Sequence, residues 1–341
     1  MKKIIGNNYF FWFAAIIVSA YVLIVFVKTP GINGYERAMF PEMIYGTAWK
    51  PFVYRTLLPS AVRITGEIVP EEVRKSLTEN VETSEFSMLV LNKLNWESEF
   101  ITEYTLAMIF MWISLLGFLY AFRSLLTVIY ISPEWFTNFI SLSALLTLPT
   151  MFQYYSYVYD FPTLFLFTLG LLFMVKHKWS YFLILFFISS FNKETVILLT
   201  MIFAIHFYKN KKVSKRLLYQ LIAVQLIIFV SIKFLLYFLF LNNPGSPVEF
   251  HLLDRNYLIL NGYSLTAFII WFIIFIAIFS KWKEKPEFLK DALWIAVPLV
   301  ILTFFLGYLD ELRDYYEVFP IVFLLIAYNI ASNFGIEFTT N

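Results

Sequence analysis

Residues 190–199 read SFNKETVILL and place an asparagine, a lysine and a glutamate inside an otherwise apolar run. That run extends from Trp179 to Tyr208, which is long enough for a tilted membrane-spanning helix. Ionisable side chains at membrane depth are costly in free energy and are usually paired or functional. The way in which the chain accommodates this stretch therefore decides how the whole protein is threaded.

The basic residues on either side of the run favour a break at Asn192-Lys193-Glu194. A single helix through the run would put the basic loop 209–216 across the membrane from Lys176-His177-Lys178, which the positive-inside rule disfavours. Two helices, over 179–191 and 195–208, would return both basic loops to the cytoplasmic side. Each limb reaches only roughly 20 Å at 1.5 Å per residue. We therefore predict a short hairpin whose irregular tip lies near the outer surface or lines a polar recess.

The composition supports an integral membrane protein. Of the 341 residues, 60% are hydrophobic and 21% aromatic, but only 15% are charged. The apolar residues form continuous runs of the length that an α-helix needs to cross the hydrocarbon core, which excludes an alternating β-barrel pattern. The chain contains no cysteine, which excludes disulfides and thiolate chemistry, and its three histidines form no HExxH pair.

Charge counting extends this threading to the whole chain. We predict an all-α, polytopic transmembrane bundle of about ten spans, as a single domain over 1–341, with both termini cytoplasmic in the plasma or inner membrane. The apolar stretch after Met1-Lys2-Lys3 is too long for a cleaved signal peptide and is interpreted as a signal anchor. In this threading the cytoplasmic side holds most of the Lys and Arg residues, and the short outer loops hold only Lys193, Arg255 and Arg313. The long first outer loop carries others, but long loops cross the membrane regardless of charge.

The first outer loop, 28–104, is predicted to carry interfacial helices. Residues 51–66 combine apolar side chains with Arg55 and Arg63, so they fit a basic amphipathic helix with Pro51 at its first position and a kink at Pro59. A second helix is predicted after Pro70, and a third over 84–96. This loop is either a surface cap or a lid that guides a lipid toward an outer cavity.

Three further polar segments fall on the same outer face. Tyr154 to Asp160 read YYSYVYD, in which the tyrosines suit an aromatic belt and Asp160 suits a helix N-cap. The alternative is a stacking wall of tyrosines, including Tyr157 and Tyr159, with Asp160 directed into a cavity. In the hairpin tip, Lys193 is predicted to bind an anion, and Glu194 is either its partner or a polar contact for substrate. Asn192 is predicted to contact substrate.

The last of these segments, 308–317, reads YLDELRDYYE. At helical spacing Asp310, Arg313, Asp314 and Glu317 would share one face, so solvated salt bridges are one interpretation. The other is a binding site in which Arg313 holds a phosphate, with Asp310 and Glu311 beside it. Four separate segments that converge on one side of the membrane favour a site there.

The segments PFVYRTLLP, YVYDFPTLFLFTLG, FNKETVILL and DELRDYYEVFP, together with the signal anchor and the long first outer loop, resemble the GT-C superfamily of membrane glycosyltransferases and bacterial membrane proteins grouped with it. These enzymes use polyprenyl-phosphate-linked sugars, and an acidic residue in the first outer loop acts as base. The resemblance places that role at Glu36, although Arg37 follows it where the superfamily commonly has a second acidic residue.

These observations predict a glycosyltransferase that moves a sugar from a polyprenyl-phosphate donor to a glycan, lipid or protein acceptor at the outer face. Arg55, Lys193 and Arg313 would hold the phosphate, and Glu36 or Asp160 would take the proton of the acceptor hydroxyl. A divalent metal, Mg or Mn, could be held through Glu36, Asp160 or Glu194. The alternatives are a lipid-linked glycan flippase or transporter, a glycan polymerase or ligase, and a structural envelope subunit. The expected partners are thus the lipid-linked sugar, membrane lipid and the acceptor, and no nucleic acid is expected.

Overall fold

The computed structural model describes residues 8–29, 31–210, 213–253, 256–258 and 263–340. Within them the chain is helical, apart from a short antiparallel ladder between β1 (Tyr130–Ile131) and β2 (Thr339–Thr340). The all-α prediction is confirmed. Met1-Lys2-Lys3 and Arg255, on which part of the charge count depends, lie outside the described residues, as do Lys211 and Lys212.

The helices are named here in chain order. They are α1 Asn8–Lys28, α2 Phe40–Tyr45, α3 Leu57–Ile68, α4 Glu71–Glu82, α5 Glu85–Leu94, α6 Ile101–Ile129, α7 Glu134–Thr147, α8 Asp160–Val175, α9 Trp179–Ser189, α10 Ile197–Asn210, α11 Lys215–Leu239, α12 Leu265–Phe279, α13 Glu287–Ala292, α14 Ala296–Leu306 and α15 Phe319–Asn333.

Several of these helices have the dimensions and composition of membrane spans. Among the described residues, four continuous helical segments are long and apolar enough to cross a bilayer: Asn8–Lys28, Ser98–Ile129, Lys215–Leu239 and Glu287–Leu306. Helices α8, α9, α12 and α15 are equally apolar but shorter. The 11 residues of α9 extend only about 16 Å at 1.5 Å per residue, which is less than the hydrocarbon thickness.

The long helix α6 is the centre of the bundle. It packs against α8 most extensively and also against α1, α3 and α7. Apolar side chains along its length, such as Met111, Leu115 and Phe118, are fully buried. The chain then continues outward through neighbouring pairs, α8 with α9 and α10 with α11, while α12 packs against α15. Most exposed side chains of α11 and α12 are apolar, as expected for helices that face lipid.

The first loop forms four helices, α2 to α5, at the end of the bundle where α1 ends and α6 begins. Helices α4 and α5 confirm the predicted second and third helices. The first differs from the prediction, because Pro51 precedes the 3₁₀ turn Phe52–Tyr54 and α3 begins only at Leu57. Pro59 therefore lies in the first turn of α3, where the missing amide donor has no helical partner and causes no kink.

A buried asparagine fixes this loop to the bundle. The Asn33 amide nitrogen donates to the Asn95 carbonyl oxygen at 2.8 Å and to the Tyr104 hydroxyl at 2.7 Å. Its oxygen accepts from the Phe40 amide at 2.9 Å. These bonds join the start of the loop, its last helix α5 and the first turns of α6.

The SFNKETVILL stretch is a turn between two short helices, as predicted. Helix α9 ends at Ser189, a 3₁₀ turn covers Glu194–Val196, and α10 begins at Ile197. The Phe191 carbonyl oxygen accepts from the Leu57 amide at 3.1 Å, so the turn lies against the start of α3. The break therefore brings the polar tripeptide next to the first loop.

Replacing Asn33 by alanine removes the three hydrogen bonds that hold the first loop. We expect the free energy of unfolding to fall by about 1–3 kcal/mol, because the groups left behind are buried without partners. Thermal unfolding of the detergent-solubilised protein checks this. The control is Asn80→Ala, whose exposed side chain makes one long bond to Ser76 at 3.4 Å and should change little. Equal midpoints for wild type and Asn33→Ala would contradict this role of Asn33.

Candidate functional site

Four chain segments meet at one end of the bundle. They are the Phe52–Arg55 part of the first loop, the 154–160 segment that leads into α8, the turn between α9 and α10, and residues 308–318 before α15. This convergence is the one that the sequence indicates. Its centre, called here the arginine–tyrosine cluster, consists of Arg55, Tyr157, Tyr159, Asp160 and Arg313.

Two stacked tyrosines form the middle of the cluster. The rings of Tyr157 and Tyr159 lie 5.1 Å apart with an interplanar angle of 6°. The Arg313 guanidinium lies 4.3 Å from the centre of the Tyr157 ring, and the Arg55 guanidinium lies 4.4 Å from the centre of the Tyr159 ring. Each arginine thus has a desolvated cation–π contact. Both tyrosines are buried, so they are a wall of the cluster rather than a belt at the lipid surface.

Arg313 is surrounded by carboxylates. Its Nε and Nη2 atoms donate to Glu311 Oε1 at 2.7 and 2.6 Å, and its Nη1 lies 3.8 Å from Asp160 Oδ1. Burial raises the pKa of Glu311 to about 7, although Arg313 opposes this effect; Asp314 and Asp160 add to it. Arg313 itself is buried, which contradicts the interpretation of 308–317 as a solvated helix face. The segment instead forms a 3₁₀ turn over Leu312–Tyr315.

Asp160 does not cap α8 as the sequence suggests. It is the first residue of the helix, and its Oδ2 accepts from the preceding Tyr157 amide at 3.0 Å. The other oxygen, Oδ1, is buried and has no hydrogen-bond partner in the structure. Asp160 thus shapes the tyrosine segment with one oxygen and faces Arg313 with the other.

Arg55 lies in a second part of the cluster. Its Nη1 donates to the Tyr159 hydroxyl, and its Nε lies 3.6 Å from Glu194 Oε2. Burial tends to raise the pKa of Glu194, but the positive charges of Arg55 and then Lys233 outweigh it and lower that pKa. Lys233, in the second half of α11, donates to the Ser190 carbonyl oxygen at 2.8 Å, at the end of α9. In the sequence, Lys233 is an isolated cation within an apolar span, a pattern that indicates a paired or functional residue.

Lys193 and Glu194 do not pair with each other, contrary to the prediction. Lys193 Nζ lies 3.2 Å from Glu317 Oε1, and the side chains are 9% and 0% exposed. The Thr195 hydroxyl donates to the same glutamate oxygen. Lys193 therefore joins the turn to the start of α15, and it is held by a carboxylate rather than open to an anion.

Asn192 holds the turn against α8. Its amide nitrogen donates to the Tyr159 carbonyl oxygen at 3.1 Å and to the Thr163 hydroxyl at 2.7 Å. A cavity of about 10 Å³ lies beside it, lined also by Ser189 and Lys193. That volume is close to the space of a single water molecule. Asn192 is thus a packing residue of the turn, and any contact with substrate stays a prediction.

The outer rim of the cluster is formed by other residues. The Tyr154 hydroxyl donates to Asp310 Oδ2 at 2.7 Å, and the ring of Tyr154 lies 5.6 Å from that of Tyr308. On the first loop, Arg37 pairs with Glu249 at 3.1 Å. The Tyr35 ring connects rim and centre, since it lies 4.8 Å from the Tyr155 ring and 5.4 Å from the Phe52 ring.

Glu36 lies apart from the cluster. It is exposed, in the 3₁₀ turn Glu36–Ala38, and the ion pairs and hydrogen bonds of the cluster do not include it. Its neighbour Arg37 is the residue that pairs with Glu249. Of the two carboxylates predicted as base, the structure places only Asp160 among the buried charges.

Two of the carboxylates predicted to hold a divalent metal lie beside cations, and the binding of a metal stays a prediction. Asp160 faces Arg313 and Glu194 faces Arg55, so each carboxylate is next to a cation, and Glu36 lies elsewhere. Among the described residues, no group of three or more His, Asp or Glu side chains is arranged to hold a metal ion.

Buried polar atoms without a hydrogen-bond partner are concentrated in and around the cluster. Such atoms are rare in folded proteins and mark strained or functional places. Those found here are Tyr54 Oη, Arg55 Nε, Ser156 Oγ, Asp160 Oδ1, Asn192 Oδ1, Glu194 Oε1, Tyr316 Oη and Glu317 Oε2. The sequence does not mark Tyr54 and Ser156 as site residues, because a tyrosine or serine near a membrane boundary gives no distinctive signal.

Comparison of the chain with models of known protein families, with curated proteins and with solved structures finds no match.

Removing one partner of the Lys193–Glu317 pair should destabilise the fold strongly. We expect Lys193→Met to lower the free energy of unfolding by about 3–5 kcal/mol, because Glu317 is then left buried and uncompensated. The double variant Lys193→Met/Glu317→Met should recover most of this loss. As a control, Lys75→Met breaks the exposed Lys75–Glu71 pair and should have no measurable effect. A double variant as unstable as the single one would contradict the pairing.

The raised pKa of Glu311 makes stability depend on pH. The folded protein holds a proton on Glu311 up to about pH 7, whereas an unfolded glutamate releases it at about pH 4.3. Its contribution is thus fully present below about pH 4.3 and is lost as the pH rises toward 7, by up to about 1.4 kcal/mol per unit. We expect wild type to lose stability relative to Glu311→Gln over this range. Parallel curves of unfolding midpoint against pH would contradict the shift.

Proposed function

We propose that this protein is an integral membrane glycosyltransferase of the GT-C type that transfers a sugar from a polyprenyl-phosphate donor to an acceptor at the extracytoplasmic face. The observation that carries the proposal is the arginine–tyrosine cluster. It combines two guanidinium groups that lie over stacked aromatic rings with a buried carboxylate oxygen that has no hydrogen-bond partner, all within a helical membrane bundle.

The arginines suit a phosphate-bearing donor. A guanidinium group binds phosphate through paired N–H donors, and it remains charged when buried. Arg55 is the more available of the two, because its Nε has no hydrogen-bond partner and Glu194 is the carboxylate beside it. The side chain of Glu194 is 38% exposed, which indicates an approach to this part of the cluster. Lys193 is not included as a phosphate ligand, since Glu317 holds it.

Asp160 is the carboxylate that fits the role of base. In the proposed step the acceptor hydroxyl oxygen attacks the anomeric carbon, and the bond from that carbon to the phosphate oxygen breaks. The lipid phosphate leaves with the electron pair, stabilised by the arginines, and Asp160 takes the proton of the acceptor hydroxyl. Oδ1 is free of hydrogen bonds in the structure and is therefore the atom assigned to this proton.

The proposal includes the ten-span threading with the cluster on the outer side. It is supported by the positions of the helix ends, because the starts of α8, α10 and α15 and the end of α9 meet at the cluster. A transporter or flippase would instead line a path through the membrane with polar groups. The ion pairs of the described bundle helices lie mainly at its two ends, as His206 and Asp291 show at the opposite end of α10.

Single cysteines test the threading directly, since the chain contains no cysteine. We expect Thr83→Cys and Ser246→Cys to react with a membrane-impermeant maleimide in intact cells. Lys178→Cys and Lys283→Cys should react only after the membrane is opened. All four positions are exposed, so a failure to react reports the side of the membrane. Labelling of Lys178→Cys from outside would overturn the threading.

Asp160→Asn tests the proposed base. We expect release of polyprenyl phosphate from a polyprenyl-phosphate-linked sugar to fall by roughly 10²–10⁴-fold in reconstituted membranes, because a carboxamide cannot accept the proton. Glu36→Gln, which alters the exposed carboxylate, should retain near wild-type turnover. Full activity of a folded Asp160→Asn protein would exclude Asp160 as the base, and loss in Glu36→Gln instead would restore the assignment from the family resemblance.

A further inference from the structure

The carboxylates around Arg313 already carry more negative charge than its guanidinium can neutralise, which disfavours the binding of another anion. Glu311 contacts the guanidinium through both Nε and Nη2, Asp160 lies 3.8 Å from Nη1, and the charge of Asp314 also acts on it. One cation therefore faces three carboxylates in a buried place. A phosphate that bound Arg313 would add more negative charge to this group, which is unfavourable at low dielectric.

The other cations nearby do not compensate for this excess. Lys193 acts on Asp160 but pairs with Glu317, and Arg55 pairs with Glu194. Tyr157 lies between the two arginines and carries no charge, because burial raises its pKa well above the usual value. A phosphate at Arg313 thus requires that one of the three carboxylates lose its charge.

Glu311 is the carboxylate in the best position to do so. Arg313 contacts only its Oε1, through both bonds, so a proton on the other oxygen leaves the contact to Arg313 in place. A neutral carboxylic acid can still accept from Nε while it no longer neutralises the guanidinium. The raised pKa of about 7 means that this proton is available near neutral pH.

We propose that binding of a phosphate monoester at Arg313 is coupled to the uptake of one proton by Glu311. No bond other than the new O–H bond of Glu311 changes. The proton comes from solvent and makes Glu311 neutral, so that the phosphate replaces the glutamate as the anion that neutralises Arg313. The identification of that phosphate as a lipid headgroup rests on the proposed function. The coupling itself does not, since any phosphate monoester that reaches Arg313 obeys the same charge balance.

Calorimetric binding of geranyl phosphate to the full chain in nanodiscs tests this between pH 7 and 9. A phosphate monoester is already mainly a dianion there, with a second pKa of about 6. We expect the dissociation constant of wild type to rise on the order of tenfold per pH unit, the slope for uptake of one proton. Glu311→Gln should bind with little dependence on pH, and more tightly than wild type at pH 9. Arg313→Gln should lose binding.

A control variant and a second measurement distinguish this coupling from a general loss of structure. Glu249→Gln removes a carboxylate beside another arginine, Arg37, and should keep the wild-type slope. If Glu311→Gln does not fold, wild type alone suffices, because calorimetry in two buffers of different ionisation enthalpy counts the protons taken up. Inorganic phosphate as a second probe distinguishes a free phosphate from a lipid phosphate, according to whether it competes with geranyl phosphate at equal concentration.

The proposal is overturned if wild type binds with no dependence on pH, if Glu311→Gln keeps the wild-type slope, or if no phosphate binds at any pH. These outcomes are independent of sugar transfer. Proton-linked binding without turnover of any lipid-linked sugar would refute the transferase and keep the coupling. Turnover that depends on Asp160, together with phosphate binding that takes up no proton, would refute the coupling and keep the transferase.

Discussion

The structure depends on the compensation of buried charge. At low dielectric an unpaired ionised side chain is too costly, so each cation of the cluster must meet a carboxylate. Here the partners come from different segments. Arg55 of the first loop meets Glu194 of the hairpin turn, Lys193 of that turn meets Glu317 before α15, and Arg313 meets Asp160 at the start of α8. These pairs hold four discontinuous segments in one place.

The ion pairs alone do not explain why this closely packed cluster is polar. Ion pairs alone could have been replaced by apolar contacts at little cost in stability. The cluster instead keeps several buried polar atoms without partners, among them Asp160 Oδ1 and Arg55 Nε. A ligand that carries a phosphate and hydroxyl groups would satisfy such atoms, and it would have to compete with carboxylates already present. We infer that protonation of one of those carboxylates is part of binding.

The sequence was sufficient to predict the convergence of the polar segments but not the pairing of their residues. Hydropathy and the distribution of basic residues predicted the break at Asn192-Lys193-Glu194 and the convergence of the polar segments. The partners could not be predicted, because residues as far apart in the chain as Lys193 and Glu317 meet only when the bundle is packed. Thr195, which donates to the same glutamate, lies 122 positions before it. Local rules were wrong where tertiary contacts dominated, as for the interpretation of 308–317 as a solvated helix and of Asp160 as an N-cap.

The measurement that tests the central claim most directly is an experimentally determined structure of the protein with a polyprenyl-phosphate-linked sugar at a pH below 7. We expect the phosphate to lie within hydrogen-bond distance of the Arg313 or Arg55 guanidinium, with the sugar beside Asp160 and the Tyr157–Tyr159 stack. A donor bound elsewhere, with its phosphate beyond hydrogen-bond distance of both Arg313 and Arg55, would contradict the assignment of this cluster as the site of sugar transfer.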